Sequence, residues 1–168
     1  MAWQTRVLIV ANRTADSKEL RAALEERVKR GPVGFTLLVP AGPGSREQAR
    51  AQLDAAVEQM RAGGLEVEGL LGNDPDPFVD VCEAWDPRSY DEVIVSTLPT
   101  GVSKWLQADL PRRVAKMTDA PVEHVVASAA PAQPVPAPPP ESQSGVKDAS
   151  DFISHFFGSK TADGEHTA

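Results

Sequence analysis

The chain has 168 residues, of which 41% are hydrophobic and 24% charged, enough for one domain of ordinary size with its own core plus an appendage. A formal net charge of -7 excludes broad nucleic-acid binding and attraction to anionic membrane surfaces. The single cysteine, Cys82, excludes an intramolecular disulfide framework and fits a reducing compartment.

The opening MAWQTRVLIV holds a short apolar run with no small-residue cleavage pattern behind it. Neither a signal peptide nor a membrane span is predicted, and the cytoplasm is the expected compartment. Residues 6–11 (RVLIVA) form an apolar run behind Arg6, as expected of a strand buried on both faces. Leu20, Ala23, Leu24 and Val28 follow at helical spacing until Gly31-Pro32 stops the helix. Residues 35–40 (FTLLVP) are a second buried strand. Ser45 with Gln48 three positions later marks a capping box. Ala49, Leu53, Ala56, Val57 and Met60 then form the inward stripe of a helix ending at Gly63-Gly64. Residues 65–71 (LEVEGLL) begin by alternating, which predicts an edge strand with one wetter face. Asp76-Pro77 opens a short helix with Phe78, Val81, Cys82 and Trp85 on one face. Residues 92–96 (EVIVS) are another central strand. Leu110, Val114 and Met117 face inward from the next helix, with Asp109 its expected N-cap, and Val122–Val126 is the last strand.

Five strands joined by helices imply a parallel sheet, because parallel neighbours need crossover connections. Right-handed crossovers make it a doubly wound α/β sheet. The first and fourth strands are the most apolar and the third and fifth the most polar, which gives the order 3-2-1-4-5. Its switch point lies between strands one and four, where ligands of such sheets sit at the carboxyl ends.

From Ser128 the composition changes to SAAPAQPVPAPPPESQSG, with no periodicity and too little bulk to bury. The domain is therefore placed at residues 1–127 and a Pro-rich disordered tail at 128–168. Within it, residues 148–158 (DASDFISHFFG) carry Phe152, Ile153, Phe156 and Phe157 on one face of a short helix. Such a helix is marginal alone. A protein partner, or docking on its own domain, would stabilise it.

Other residue types give bland readings. Cys82 lies on an apolar stripe and reads as a buried, inert thiol. His124, His155 and His166 have no spacing that assembles a metal site. Asp74, Asp76 and Asp80 crowd one turn, as acid chemistry or a cation site would need, and as a capped helix start would explain equally well. No nucleophile–base constellation is readable. The loop from Thr97 to Lys104 lacks a G-K-[ST] at Walker spacing.

Residues 90–126 (YDEVIVSTLPTGVSKWLQADLPRRVAKMTDAPVEHVV) are similar to the last strand–helix–strand unit of the universal stress proteins. Residues 72–77 (GNDPDP) resemble the glycine-proline turn before that family's third helix, and RVLIVANRT resembles its opening strand. The resemblance runs from about Gln4 to Val126. It implies an adenine-nucleotide site at Asn12, Val39, Thr97, Thr100, Gly101, Ser103 and Lys104, and a homodimer through Val122–Val126. The sequence departs from the family's nucleotide pattern: Asn12 stands for an aspartate, Ser96 and Pro99 for glycines, and Ala108-Asp109 for Gly-Ser. Pro99 withdraws a backbone donor, and Asp109 is expected to bring a carboxylate to the phosphates. Two hostile contacts, each about 1.5–3 kcal/mol, predict ATP binding no tighter than about millimolar.

The expected function is a non-catalytic sensor or regulatory domain with nucleotide binding weak or lost. No cofactor is required, ATP or another adenine nucleotide is the candidate ligand, and no metal is expected. The alternative is a scaffold that presents the tail motif to a partner protein. An adenylyltransferase-type enzyme ranks last, because the one histidine of the domain, His124, lies in the last strand rather than in a phosphate motif.

Overall fold

The structure, a computed structural model, describes residues 3–42, 44–99, 101 and 103–128. The chain divides after Pro131. The tail motif of Phe152, Ile153, Phe156 and Phe157 lies outside the described residues, as does Thr100.

The elements run β1 (Thr5–Val10), α1 (Lys18–Lys29), β2 (Val33–Val39), α2 (Arg46–Ala62), β3 (Val67–Leu71), α3 (Pro77–Ala84), β4 (Glu92–Thr97), α4 (Lys104–Gln107), α5 (Leu110–Thr118) and β5 (Val122–Val126). The strands form one five-stranded sheet in the order β3-β2-β1-β4-β5, and each neighbouring pair is parallel. Both agree with the sequence-based expectation.

The central strands owe their apolar runs to cover on both faces. Val7 and Ile9 of β1 join Leu20 and Leu24 of α1 and Leu53, Val57 and Met60 of α2. Leu8 and Val10 point the other way, into a second cluster with Val81 of α3 and Leu110 and Val114 of α5. That second face does not reach β3, where Glu68 and Leu70 are exposed. Its other face carries Gly69, which lets Leu53 and Val57 of α2 press close: a Cβ there would lie 3.2 Å from each.

Helix starts follow their caps. Ser17 Oγ accepts from Leu20 N at 3.2 Å, and Ser45 Oγ from Gln48 N at 3.1 Å. Asp76 Oδ1 accepts from Phe78 N at 2.9 Å, with Pro77 at the first helical position, where its missing N–H costs nothing.

Three local expectations are corrected. Val28 is 44% exposed, although it follows the inward stripe at helical spacing. Cys82 is exposed rather than buried: of its helical stripe only Val81 is fully covered. Asp109 makes no side-chain cap. The four-residue α4 precedes it, so Asp109 becomes the joint between two helices, in a left-handed conformation with φ 52°.

Candidate functional site

The cleft opens where the strand order predicts it, beyond the carboxyl ends of β1 and β4. After β1 the chain turns through Asn12, Arg13 and Thr14. Asn12 is half-buried, and its backbone carbonyl accepts from Gln52 Nε2 at 2.7 Å and from Ala15 N at 3.1 Å. Thr14 Oγ1 donates to the Ser96 carbonyl at 3.1 Å, bridging the turn to the end of β4.

Two further loops make the facing wall. The loop after β2 contributes Pro40 and Gly42, and the loop after β3 contributes Pro75, Asp76 and Pro77. Asp74 Oδ1 accepts from Asp76 N at 2.8 Å. Asp80 Oδ1 accepts from Asn73 N at 2.7 Å and Asp74 N at 2.9 Å. The acidic turn is thus a set of carboxylates bound to backbone N–H groups. Among the described residues no group of His, Cys, Asp or Glu is placed to hold a metal.

The segment after β4 supplies Ser96, Thr97, Leu98, Ser103, Lys104 and Trp105, and α5 adds Leu110 and Arg113. The Arg113 guanidinium sits over the Phe78 ring, 4.0 Å from its centroid, a cation–π contact that holds a long side chain in one place. The cleft, open to solvent on one side, has a volume of about 690 Å³, enough for a nucleotide-sized ligand.

Charge and hydrogen-bonding capacity decide what such a cleft can take. Arg13, Lys104 and Arg113 line it against the single carboxylate of Asp76. None of the three is in an ion pair among the described residues. An acidic chain has thus gathered unpaired cations in one concavity. Ser96, 1% exposed, has a hydroxyl that lacks a hydrogen-bond partner among the described residues. Leaving a buried hydroxyl unpaired costs about 1–3 kcal/mol, so a polar group entering the cleft would relieve it.

Of the expected site residues, Asn12, Thr97, Ser103 and Lys104 line the cleft. The Thr97 hydroxyl is engaged with His124 Nε2 at 2.8 Å, and Ser103 Oγ accepts from Leu106 N at 3.4 Å. Val39 does not line it. Its side chain is fully buried in the core, and its carbonyl accepts from Gly72 N at 2.8 Å. Gly101 is exposed, with a positive φ of 96°, and it too is absent from the lining. Asp109, expected to confront the phosphates, also lies outside the lining, and its carboxylate is 3.9 Å from Arg112 Nη1. Sequence reasoning missed Arg13, Thr14, Trp105 and Arg113, and placed Ser96 only as a lost glycine.

No protein-family model matches the chain, and no curated protein matches it. Solved structures do. A universal stress protein from Archaeoglobus fulgidus is 22% identical with a TM-score of 0.53, over 72% of this chain and 93% of that one. The universal stress protein of that organism in complex with dAMP is 22% identical with a TM-score of 0.52, over 74% of this chain and 99% of that one. A universal stress protein in complex with cAMP is 19% identical with a TM-score of 0.56, over 75% of this chain and 98% of that one. The fold of this chain is that of the universal stress proteins.

Proposed function

We propose that this is a non-catalytic sensor or regulatory domain whose cleft takes a small phosphate-bearing ligand, an adenine nucleotide first among them. The observation that supports this most is the trio Arg13, Lys104 and Arg113, unpaired among the described residues and lining the same cleft as the orphaned Ser96 hydroxyl. The dAMP and cAMP carried by two structures of the same fold give the ligand class its chemistry.

Affinity is expected to be modest. Pro99 still has no N–H to give a phosphate, whereas Asp109 faces Arg112 and not the cleft. One lost contact rather than two costs about 1.5–3 kcal/mol, roughly tenfold to a hundredfold, which puts binding between micromolar and millimolar. His124, the one histidine among the described residues, is bonded to the Thr97 hydroxyl, and among the described residues no carboxylate is bonded to its ring to complete a nucleophile–base–acid set. That is the basis for reading the domain as non-catalytic. No helix among the described residues is long and apolar enough to cross a membrane, and the cytoplasm is the proposed compartment.

Calorimetry with AMP, ADP and ATP, with and without magnesium, tests the reading. Saturable binding that weakens at least tenfold in Lys104→Ala or Arg113→Ala supports it. Absence of heat at millimolar ligand removes it, and turnover of ATP would replace it with an enzyme.

A further inference from the structure

Asp80 is an ionisable side chain 2% exposed, in no ion pair among the described residues. Among the described residues its carboxylate is held by backbone N–H groups alone. Oδ1 takes Asn73 N at 2.7 Å and Asp74 N at 2.9 Å, and Oδ2 takes Ala41 N at 3.3 Å. The first two donors belong to the loop after β3 and the third to the loop after β2. No strand pairing continues into either loop beyond the Gly72 N to Val39 carbonyl bond. Asp80 therefore bridges two loops that the sheet itself has let go, and both loops form the cleft wall through Pro40, Gly42, Pro75, Asp76 and Pro77.

Gly72 is the other half of the device. It is buried, and a Cβ built on it would overlap the Asp80 carboxylate. Its φ is not among the positive ones, so no backbone demand explains a glycine here. The need is for space, because the carboxylate packs where a side chain would stand.

We propose that Asp80 is the positioning residue of the cleft, fixing the spacing of the two loops so that the wall is formed before a ligand arrives. The proposal rests on the reading of the cleft as a ligand site. Preorganisation of this kind raises affinity by lowering the ordering that binding must accomplish. Asp80 does not itself line the cleft, so its effect on a ligand passes through Ala41, Asn73 and Asp74.

Two variants separate the possibilities, each read by amide exchange and by AMP titration on the full chain. In Asp80→Asn the remaining oxygen can keep Asn73 and Asp74, but the new NH2 meets the Ala41 N–H, donor against donor. Exchange should accelerate about tenfold at Ala41 and stay slow at Asn73 and Asp74. In Gly72→Ala the carboxylate is displaced with its charge kept, and all three amides should lose protection. In both, the AMP dissociation constant should rise about tenfold while amides of the β1 and β4 cores keep wild-type protection. Wild-type amides at all three positions exchanging as open coil would overturn the clamp. Amides responding as stated with unchanged AMP affinity would overturn the positioning role and leave a structural one. A wild-type chain that fails to bind AMP, with the amides responding, would overturn the ligand reading and the positioning role together, leaving the clamp as structure. The three failures are distinct.

Discussion

The Thr14 hydroxyl donates to the carbonyl of Ser96 at 3.1 Å, joining the turn after β1 to the end of β4 at the switch point of the sheet. The bond satisfies the Ser96 backbone but not the Ser96 side chain, whose buried hydroxyl has no partner among the described residues. Ser96→Ala removes a group that is buried at a loss. The unliganded domain should gain stability by up to about 1 kcal/mol, seen as a higher Tm, while AMP affinity falls. A drop in Tm without ligand would show that the hydroxyl is satisfied in the free protein.

A second prediction concerns stability away from the cleft. Arg27 Nε and Nη2 each donate to Glu92 at 3.0 Å, clamping the end of α1 to the start of β4. The side chains are 11% and 32% exposed, so screening is partial. Two-pronged geometry of this kind contributes more than an exposed pair. Arg27→Ala should cost about 1–2 kcal/mol in chemical unfolding, against no measurable loss for Lys29→Ala, whose partner Glu26 is exposed like itself. Equal losses from the two changes would contradict this.

The order of the sheet was legible because burial and apolarity are one thing in a doubly wound fold. Within RVLIVA and EVIVS the runs VLIVA and VIV are unbroken apolar residues, so β1 and β4 had to be central, and the switch point followed. The wall of the cleft was not legible, because its contacts are non-local. Asp80 sits in PFVDVCEA as an acid on a short helix, and nothing in that stretch signals a bond to Ala41, 39 residues earlier. Arg113 reads as a solvated helix charge until Phe78 of α3 is found under it. Asp109 has cap chemistry, but α4 changes which turn it ends.

The correction at Cys82 has a kinetic consequence. The thiol is exposed, yet its pKa is raised above the ordinary 9.0, first by desolvation and also by Asp76, with Arg113 acting the other way. The thiolate is the reactive form. Alkylation should therefore be slow near neutrality and keep rising with pH through and beyond 9.0. Arg113→Ala should move the profile higher still. A rate plateau below about pH 8.5 would mean that the thiolate is stabilised and not disfavoured.

Glu19, in the first turn of α1, titrates the opposite way. The Ser128 side chain holds its carboxyl below the ordinary 4.5, helped by its own backbone N–H and that of Ser128. A depressed folded pKa contributes stability above the unfolded value and loses it as pH falls through the folded one. The contribution should be complete above 4.5 and vanish in acid below it. Ser128→Ala should return the Glu19 titration, followed by NMR, towards the ordinary value. An unchanged titration would show that Ser128 does not reach the carboxyl.

The last prediction concerns the edge at β5. Ala127 N donates to the Thr97 carbonyl and Val93 N to that of Pro121, so by the two-residue period of a strand, residues 121, 123, 125 and 127 turn their backbone groups towards β4. Val122, His124 and Val126 therefore direct theirs outward, and Val126 is 45% exposed. Two copies meeting antiparallel about a two-fold axis at His124 would pair Val122 of one with Val126 of the other, an isologous contact that closes on itself. A homodimer through Val122–Val126 is the proposed assembly. Val126→Pro removes an outward N–H twice per dimer and leaves the β4 ladder untouched, which an edge strand tolerates. Sedimentation velocity should find wild-type dimer at roughly 10 µM and monomer for Val126→Pro, with Tm at low concentration little changed. Wild-type monomer at that concentration would remove the dimer. Dimer persisting in Val126→Pro would move the interface off this strand.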